Sequence, residues 1–180
     1  MILRDATVDD AAALAAIYGH HVLHGLGTFE ETPPGADEMI GRLGAVQARG
    51  LPYLVAQTDR VIGFAYATPF RLRAAYRYTV EDSIYVAPDQ RGLGVGKRLV
   101  GEVMQRCEAL GLRQMIAIVG DSANAASIGL HRSLGFELKG VMPSVGFKHG
   151  RWVDIVWMQR QLNRGDAGPP SAPGLDLAGA

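Results

Sequence analysis

The stretch Gln90-Arg91-Gly92-Leu93-Gly94-Val95-Gly96-Lys97 constrains this chain more than any other. It follows a β-rich run, Thr79 to Val86, that Pro88 and Asp89 break. It precedes a run in which Leu99, Val100, Val103, Met104, Cys107 and Leu110 fall at helical spacing, with Gly111 just past the end. Glycines at such a junction let the backbone turn tightly and bring several N–H groups close to a ligand. A helix start adds unpaired N–H groups and the positive end of the helix dipole, which together favour a phosphate or pyrophosphate. A nucleotide P-loop requires G-x-x-x-x-G-K-[ST], but Arg91 stands at its first position and Arg98 follows Lys97. A dinucleotide fingerprint requires G-x-G-x-x-G, and Lys97 occupies its last position. What remains is Q-R-x-x-G-x-G with Gly92 added; a glycine turn without a ligand is the alternative.

Around this junction the chain reads as alternating elements. Ile2 to Ala6 suits an opening strand, and Thr7 with Asp10 resembles a capping box before an Ala-rich helix from Asp9 to about Val22. Gly25 to Gly35 is a loop that exposes Thr28-Phe29-Glu30-Glu31, and Ala36 to Arg49 is a second helix weakened by Gly41 and Gly44. Strands are expected at Tyr53 to Gln57 and Val61 to Thr68 around a Thr58-Asp59-Arg60 turn. An Arg- and Tyr-rich connection, Arg71 to Tyr78, leads into the strand Thr79 to Val86. After the long helix come a buried strand, Gln114 to Val119, and a short helix, Ala125 to Leu134. The last strands are Phe136 to Met142 and Trp152 to Gln159, joined by a loop that holds Gly146, Lys148 and Gly150. From Asn163 the chain is rich in Gly, Pro and Ala, which predicts a disordered tail over 163–180 behind a single domain, 1–162. The order of elements describes an α/β chain with a mixed sheet and helices on its faces.

Lys and Arg balance Asp and Glu at 18 each, so nothing favours nucleic acid or an anionic membrane surface as partner. No apolar run approaches the ~20 residues of a membrane span, and the N-terminus has neither the basic start nor the apolar stretch of a signal peptide. A cytoplasmic enzyme or binding domain is expected. Cys107 is the one cysteine and lies on an apolar helical stripe, where a buried inert thiol is the default. His20, His21 and His24 lack the glutamate of a zinc-binding H-E-x-x-H helix and point in different directions, so no metal is expected.

The Q-R-x-x-G-x-G turn resembles the pyrophosphate loop of the GNAT acetyltransferase superfamily. The likeness extends over most of residues 1–162. Asn124-Ala125-Ala126-Ser127 with His131-Arg132-Ser133-Leu134-Gly135-Phe136 resembles the second signature of that superfamily. His131 stands where many members carry a tyrosine that protonates the departing thiolate, a departure shared by the phosphinothricin and methionine sulfoximine N-acetyltransferases. Thr28 to Pro34, Arg73 to Val86 and Gly146 to Asp154 are similar to the same branch. Phe70 departs from it, standing where many relatives have tryptophan, which leaves the substrate pocket open to reshaping.

The resemblance implies a mixed, mostly antiparallel central sheet with helices on both faces and a splayed parallel strand pair holding acetyl-CoA. It implies that the strand ending in Tyr85 and Val86 pairs with the pantetheine arm, in the manner of an added strand. It places the pyrophosphate on Arg91, Gly92, Leu93, Gly94, Val95, Gly96 and Lys97. Asn124 and Ser127 would bind the pantetheine, although Asn124 equally suits an ordinary helix N-cap. Acyl transfer needs a neutral amine, a stabilised thioester oxygen and a leaving thiolate. Glu81 is the candidate base, because a carboxylate in an interior strand is poorly solvated and its pKa rises. Asp82, on the opposite face of that strand by alternation, is its rival. The N–H near Val86 is the implied oxyanion donor and His131 the implied acid.

Arg71, Arg73, Tyr76 and Arg77 gather donors suited to carboxylate or phosphinate oxygens. Phe29, Glu30, Lys148 and Trp152 are further candidates around the substrate, with Lys148 and Trp152, on a final hairpin, also placed at the contact of an implied homodimer. The expected activity is direct attack of a small amino-acid amine, such as that of phosphinothricin or methionine sulfoximine, on the thioester. Acetylation of a protein N-terminus, a polyamine or a drug, and acyl-CoA binding without catalysis, stand as alternatives.

Overall fold

The computed structural model describes residues 1–177. Seven strands form one sheet: β1 (Ile2–Asp5), β2 (Tyr53–Gln57), β3 (Val61–Pro69), β4 (Thr79–Val86), β5 (Gln114–Gly120), β6 (Glu137–Lys148) and β7 (Arg151–Gln161), in the order β1-β2-β3-β4-β5-β7-β6. Every neighbouring pair is antiparallel except β4 and β5, which run parallel. The helices are α1 (Ala11–His24), α2 (Ala36–Gln47), α3 (Val95–Ala109) and α4 (Ala125–Ser133). This is the mixed, mostly antiparallel α/β architecture that the sequence implies.

Local chemistry accounts for the elements. The Thr7 N–H donates to Asp10 Oδ2 at 2.9 Å, and Arg4 grips the same carboxylate with two bonds of 2.8 and 2.7 Å. This box closes a 3₁₀ turn, Val8–Asp10, and α1 proper begins one residue later and runs on to His24. In α2, Met39, Leu43 and Val46 form one buried stripe, which is why Gly41 and Gly44 on the exposed side are tolerated. In α3, Leu99, Val100, Val103 and Cys107 are fully buried.

Alternation along β4 divides the molecule. Glu81, Ser83 and Tyr85 share a face with Thr68, Tyr66 and Phe64 of β3, their register partners. That face lies under α1, whose Tyr18 ring meets Tyr85 edge-on at 4.7 Å. Val80, Asp82, Ile84 and Val86 look the other way, toward α3 and α4. A Cβ on Gly96, at the start of α3, would lie 2.6 Å from Leu130 of α4 and 3.6 Å from Ile84, so glycine there lets helix, helix and strand close together.

One part of the chain differs from expectation. The segment after Met142 is strand rather than loop. β6 continues to Lys148 across two register shifts, and the connection shrinks to His149-Gly150, with φ of 50° and 74°. Both central residues in the left-handed region mark the turn that suits a two-residue hairpin. Residues 163–177 carry no helix or strand, as their composition dictates, yet they lie against the domain. Asn163 Nδ2 donates to the Glu108 and Leu112 carbonyls at 2.9 Å each, satisfying the frayed end of α3. The Ala172 carbonyl accepts from Tyr78 Oη at 2.8 Å, Leu175 N donates to the Arg77 carbonyl at 2.8 Å, and the Leu175 side chain is 9% exposed. Composition counts few apolar residues but does not show that one leucine and several backbone groups have waiting partners. Residues 178–180 lie outside the described residues. Ending the chain after Leu162 is expected to lower Tm by roughly 5–10 °C, from the loss of one buried leucine and the α3 cap; an unchanged calorimetric Tm would show the strap to be idle.

Candidate active site

The parallel pair β4–β5 holds for only three register pairs, Thr79 with Gln114, Val80 with Met115 and Glu81 with Ile116. Beyond them the strands part. Phe70 N donates to the Thr79 carbonyl and Ala87 N to the Ile62 carbonyl, so the backbone groups of odd-numbered β4 residues turn toward β3. Those of Ile84 and Val86 therefore face the gap, with no strand on that side. One is met by a side chain: His21 Nε2 lies 2.9 Å from the Val86 carbonyl oxygen. The gap opens into a cavity of about 750 Å³.

One mouth of that cavity is the glycine turn. Gly92 and Gly94 have φ of 77° and 76°, a region that favours glycine, and Gly94 is the N-cap of α3. The first-turn N–H groups of Val95, Gly96 and Lys97 have no intrahelical acceptor. Arg91, Gly92, Gly94, Val95, Gly96 and Lys97 all line the cavity, whereas the Leu93 side chain stands outside it, 67% exposed. On the far wall Asn124 caps α4, its Oδ1 accepting from Ser127 N at 3.2 Å, and both residues line the cavity. The capping role and the position at the site coexist.

The two acids of β4 have opposite surroundings. Glu81 lines the cavity on the α1 side, half-buried; burial first, and the neighbouring Asp82 charge second, push its carboxyl up to about 7, against the pull of Arg71. Asp82 is 6% exposed on the other face, and its Oδ2 lies 3.1 Å from His131 Nε2. His131 is 2% exposed, with Nδ1 2.8 Å from the Ser127 carbonyl oxygen. The Ser127 carbonyl only accepts, so Nδ1 carries a proton and Nε2 is left to face the Asp82 carboxyl group. Burial pulls the His131 pKa down, but the Asp82 bond and charge and the Ser127 carbonyl together raise it. Asp82 Oδ1 is buried with no partner.

The remaining predicted residues divide. Phe29 reaches the cavity, its ring lying over Gly146, where a Cβ would collide with it. Glu30 does not line it; the carboxylate accepts from Tyr18 Oη at 2.7 Å and from both Arg42 terminal nitrogens at 2.8 and 2.9 Å, tying the loop to α1 and α2. Lys148 is 1% exposed and its Nζ donates to the Thr28 carbonyl at 2.7 Å, which makes it a strut under the same loop. Arg73 and Tyr76 are exposed and outside the cavity; Arg71 is the guanidinium whose charge reaches Glu81. Trp152 is exposed in an edge-on pair with Phe147. Cys107 is fully buried and its thiol is pushed up to about 12, mainly by burial.

Sequence reasoning missed His21, Leu26 and Gly27. The backbone of Leu26 crosses so close to Gly120 that any side chain there would strike the Leu26 carbonyl, and the loop thereby closes the end of the gap. No local pattern marks such a crossing. Among the described residues no group of three or more His, Cys, Asp or Glu is placed to hold a metal ion, and no helix is long and apolar enough to cross a membrane.

A parallel strand pair forced open, with unpaired amides on one strand and a glycine turn at a helix start, defines an acyl-carrier cleft in a mixed sheet. The Acetyltransferase (GNAT) family matches residues 20–136, and the chain belongs to that family. It is 54% identical to the phosphinothricin N-acetyltransferase of Alcaligenes faecalis over 94% of this chain and 85% of that one. It is 42% identical to the L-methionine sulfoximine/L-methionine sulfone acetyltransferase of Pseudomonas paraeruginosa, over 89% and 94%. The crystal structure of a GNAT superfamily phosphinothricin acetyltransferase from Sinorhizobium meliloti, in complex with AcCoA, superposes with a TM-score of 0.91 at 51% identity, covering 94% of this chain and 92% of that one. The chain is an N-acyltransferase by this membership.

Proposed function

We propose that the chain transfers an acetyl group from acetyl-CoA to the α-amine of a small amino-acid analogue of the phosphinothricin or methionine sulfoximine type. The observation that carries this reading is the parted β4–β5 pair, whose free Ile84 and Val86 amides and adjoining glycine turn match an amide-bearing arm ending in a pyrophosphate. The size of the gap fits: at about 750 Å³ it lies within the range of small-ligand clefts. Ile84 and Val86 hold the arm as an added strand while the backbone of Tyr85, expected to join them, is turned to β3; Arg91 to Lys97 hold the pyrophosphate, and Asn124 and Ser127 flank the arm. When bound, acetyl-CoA supplies a thioester as acyl donor. The Val86 N–H stabilises charge on the acyl oxygen. Glu81 takes a proton from the incoming amine, directly or through a water, because its pKa lies close to neutrality. His131, held by Asp82, supports the leaving thiolate.

Arg71, on the Glu81 face, supplies positive charge for an anionic acceptor, with Arg73 and Tyr76 placed at the outer approach and Phe29 over the cleft. The substrate is a small molecule, with neither nucleic acid nor membrane as partner, and the enzyme is cytoplasmic. The chain also forms a homodimer through edge strand β6, where Leu138, Val141, Met142, Val145 and Phe147, with Trp152 beside them, are exposed at 43–64%.

A thiol-release assay with acetyl-CoA across amino-acid analogues and polyamines, run beside CoA calorimetry, tests the reading. Turnover with methionine sulfoximine or phosphinothricin is expected. Turnover confined to polyamines would move the substrate class, and absence of CoA binding would remove the whole assignment.

A further inference from the structure

Beyond β7 the strap of residues 163–177 meets the domain at a series of fitted contacts. Asn163 caps the end of α3. The Gly168 carbonyl accepts from Arg113 Nη2 at 3.3 Å, just before β5. Ala172 lies on the turn between α3 and β5: a Cβ on Gly111, whose φ is 77°, would come within 2.5 Å of the Ala172 Cβ. The strap then reaches the connection between β3 and β4. There Tyr78 Oη donates to the Ala172 carbonyl and Leu175 N to the Arg77 carbonyl, both at 2.8 Å, and the Leu175 side chain joins the core. Between those two bonds sits Gly174, with φ of 78°. A Cβ there would stand 2.9 Å from Arg77 Cγ, from the Arg77 carbonyl oxygen and from Tyr78 Cε1. Conformation and close approach both call for glycine at this point.

The connection clasped in this way carries positive charge toward Glu81. Residues 71–77 are all exposed, and their backbone bonds are local: Tyr76 N donates to the Arg73 carbonyl at 2.9 Å and Arg77 N to the Ala74 carbonyl at 3.2 Å. A surface segment with few buried contacts opens readily unless its ends are fixed. Rings fix the first end. Phe70 meets Tyr76 edge-on at 5.7 Å and Trp157 at 5.8 Å, and the Arg71 guanidinium lies 5.0 Å over the Phe70 ring. Tyr78 fixes the second end: its carbonyl accepts from Arg113 N and Gln114 N at 2.9 and 3.2 Å, while the strap holds its hydroxyl. Glu81 follows three residues later on β4. A continuous line of contacts thus joins residues 168–175 to the guanidinium and the carboxylate of the proposed acceptor site.

We propose that residues 168–175 are a positioning element for the acceptor: by clasping Arg77 and Tyr78 they hold the Arg71-bearing connection where the acceptor meets it. The proposal rests on the acetyl-transfer reading, since that reading puts the acceptor between Arg71 and Glu81. None of the strap residues or their landing points lines the β4–β5 cleft, so CoA binding is independent of the clasp.

Two variants separate this role from simple stability. Ending the chain after Ala167 removes the clasp and keeps the Asn163 cap of α3; Gly174→Val keeps the chain and lifts the clasp alone. Both are assayed well below their melting temperatures with acetyl-CoA and L-methionine sulfoximine, beside calorimetry of the same acceptor on the CoA-loaded protein. Each variant is expected to raise the acceptor KM and Kd about fivefold to tenfold with kcat changed less than about twofold, the pattern of lost uniform binding. The Kd for CoA is expected to stay at the wild-type value. Amide hydrogen exchange at Tyr76 and Arg77, read by mass spectrometry, is expected to speed up at least about tenfold in both variants. A strap that merely adds stability would lower Tm and leave acceptor KM and Kd where they are. Acceptor affinity or exchange at the wild-type level in both variants overturns the proposal, and thiol release that persists in that case leaves acetylation standing. Acceptor binding that weakens in both variants, from a wild type that releases no thiol, supports the clasp and overturns acetylation.

Discussion

Glu81→Gln is expected to lower kcat/KM for the acceptor amine by roughly 10²–10⁴-fold, the usual contribution of a positioned base. The side chain keeps its size and loses only the capacity to accept a proton. Because the carboxyl is pushed up to about 7, the wild-type rate is expected to rise between about pH 6 and 8 as it ionises, and the Gln variant to be flat there. The linkage runs in the same direction. A carboxyl whose folded pKa exceeds its unfolded value opposes folding above the folded pKa and is neutral to it below the unfolded one. Glu81→Gln is therefore expected to melt higher than wild type above pH 7, with the difference vanishing toward pH 4. An unaltered pH–rate profile would remove Glu81 from the base role.

Asp82→Ala is expected to lose about 1–3 kcal/mol of stability in urea unfolding, because it removes the partner of a buried histidine nitrogen. His131 is the opposite linkage case: its pKa is raised, so its stabilisation is present below the unfolded value of about 6.5 and is lost as pH climbs through the folded one. The wild type should thus lose stability on the alkaline side in a way that Asp82→Ala does not. His131→Ala is expected to slow turnover less than Glu81→Gln, since a thiol leaves far more readily than an amine. A urea midpoint for Asp82→Ala within experimental error of wild type would show the pair to be unimportant for the fold.

What was legible in the sequence follows from the range over which each signal acts. The glycine turn, the helical stripe of α3 and the alternation of β4 depend on neighbours in the chain, and each stands where it was read. The opposition of Glu81 and Asp82 needed only the twofold period of a strand. The partner of Asp82 did not, because His131 lies forty-nine residues away and no spacing rule links them. Glu30 and Lys148 show the converse: their motif placed them near the substrate, while their atoms are spent on Arg42, Tyr18 and the Thr28 carbonyl, which hold the loop. For the tail, composition measures how much a segment can bury, while the contacts of Asn163, Ala172 and Leu175 depend on partners far away in the chain.

On the proposed reading, β4 works as a partition. The amine meets Glu81 on one side of it and the thiolate finds His131 on the other, at the edge of one shared cleft. With the only thiol of the chain sealed under α3, nothing obliges the acyl group to pause on the protein between donor and acceptor.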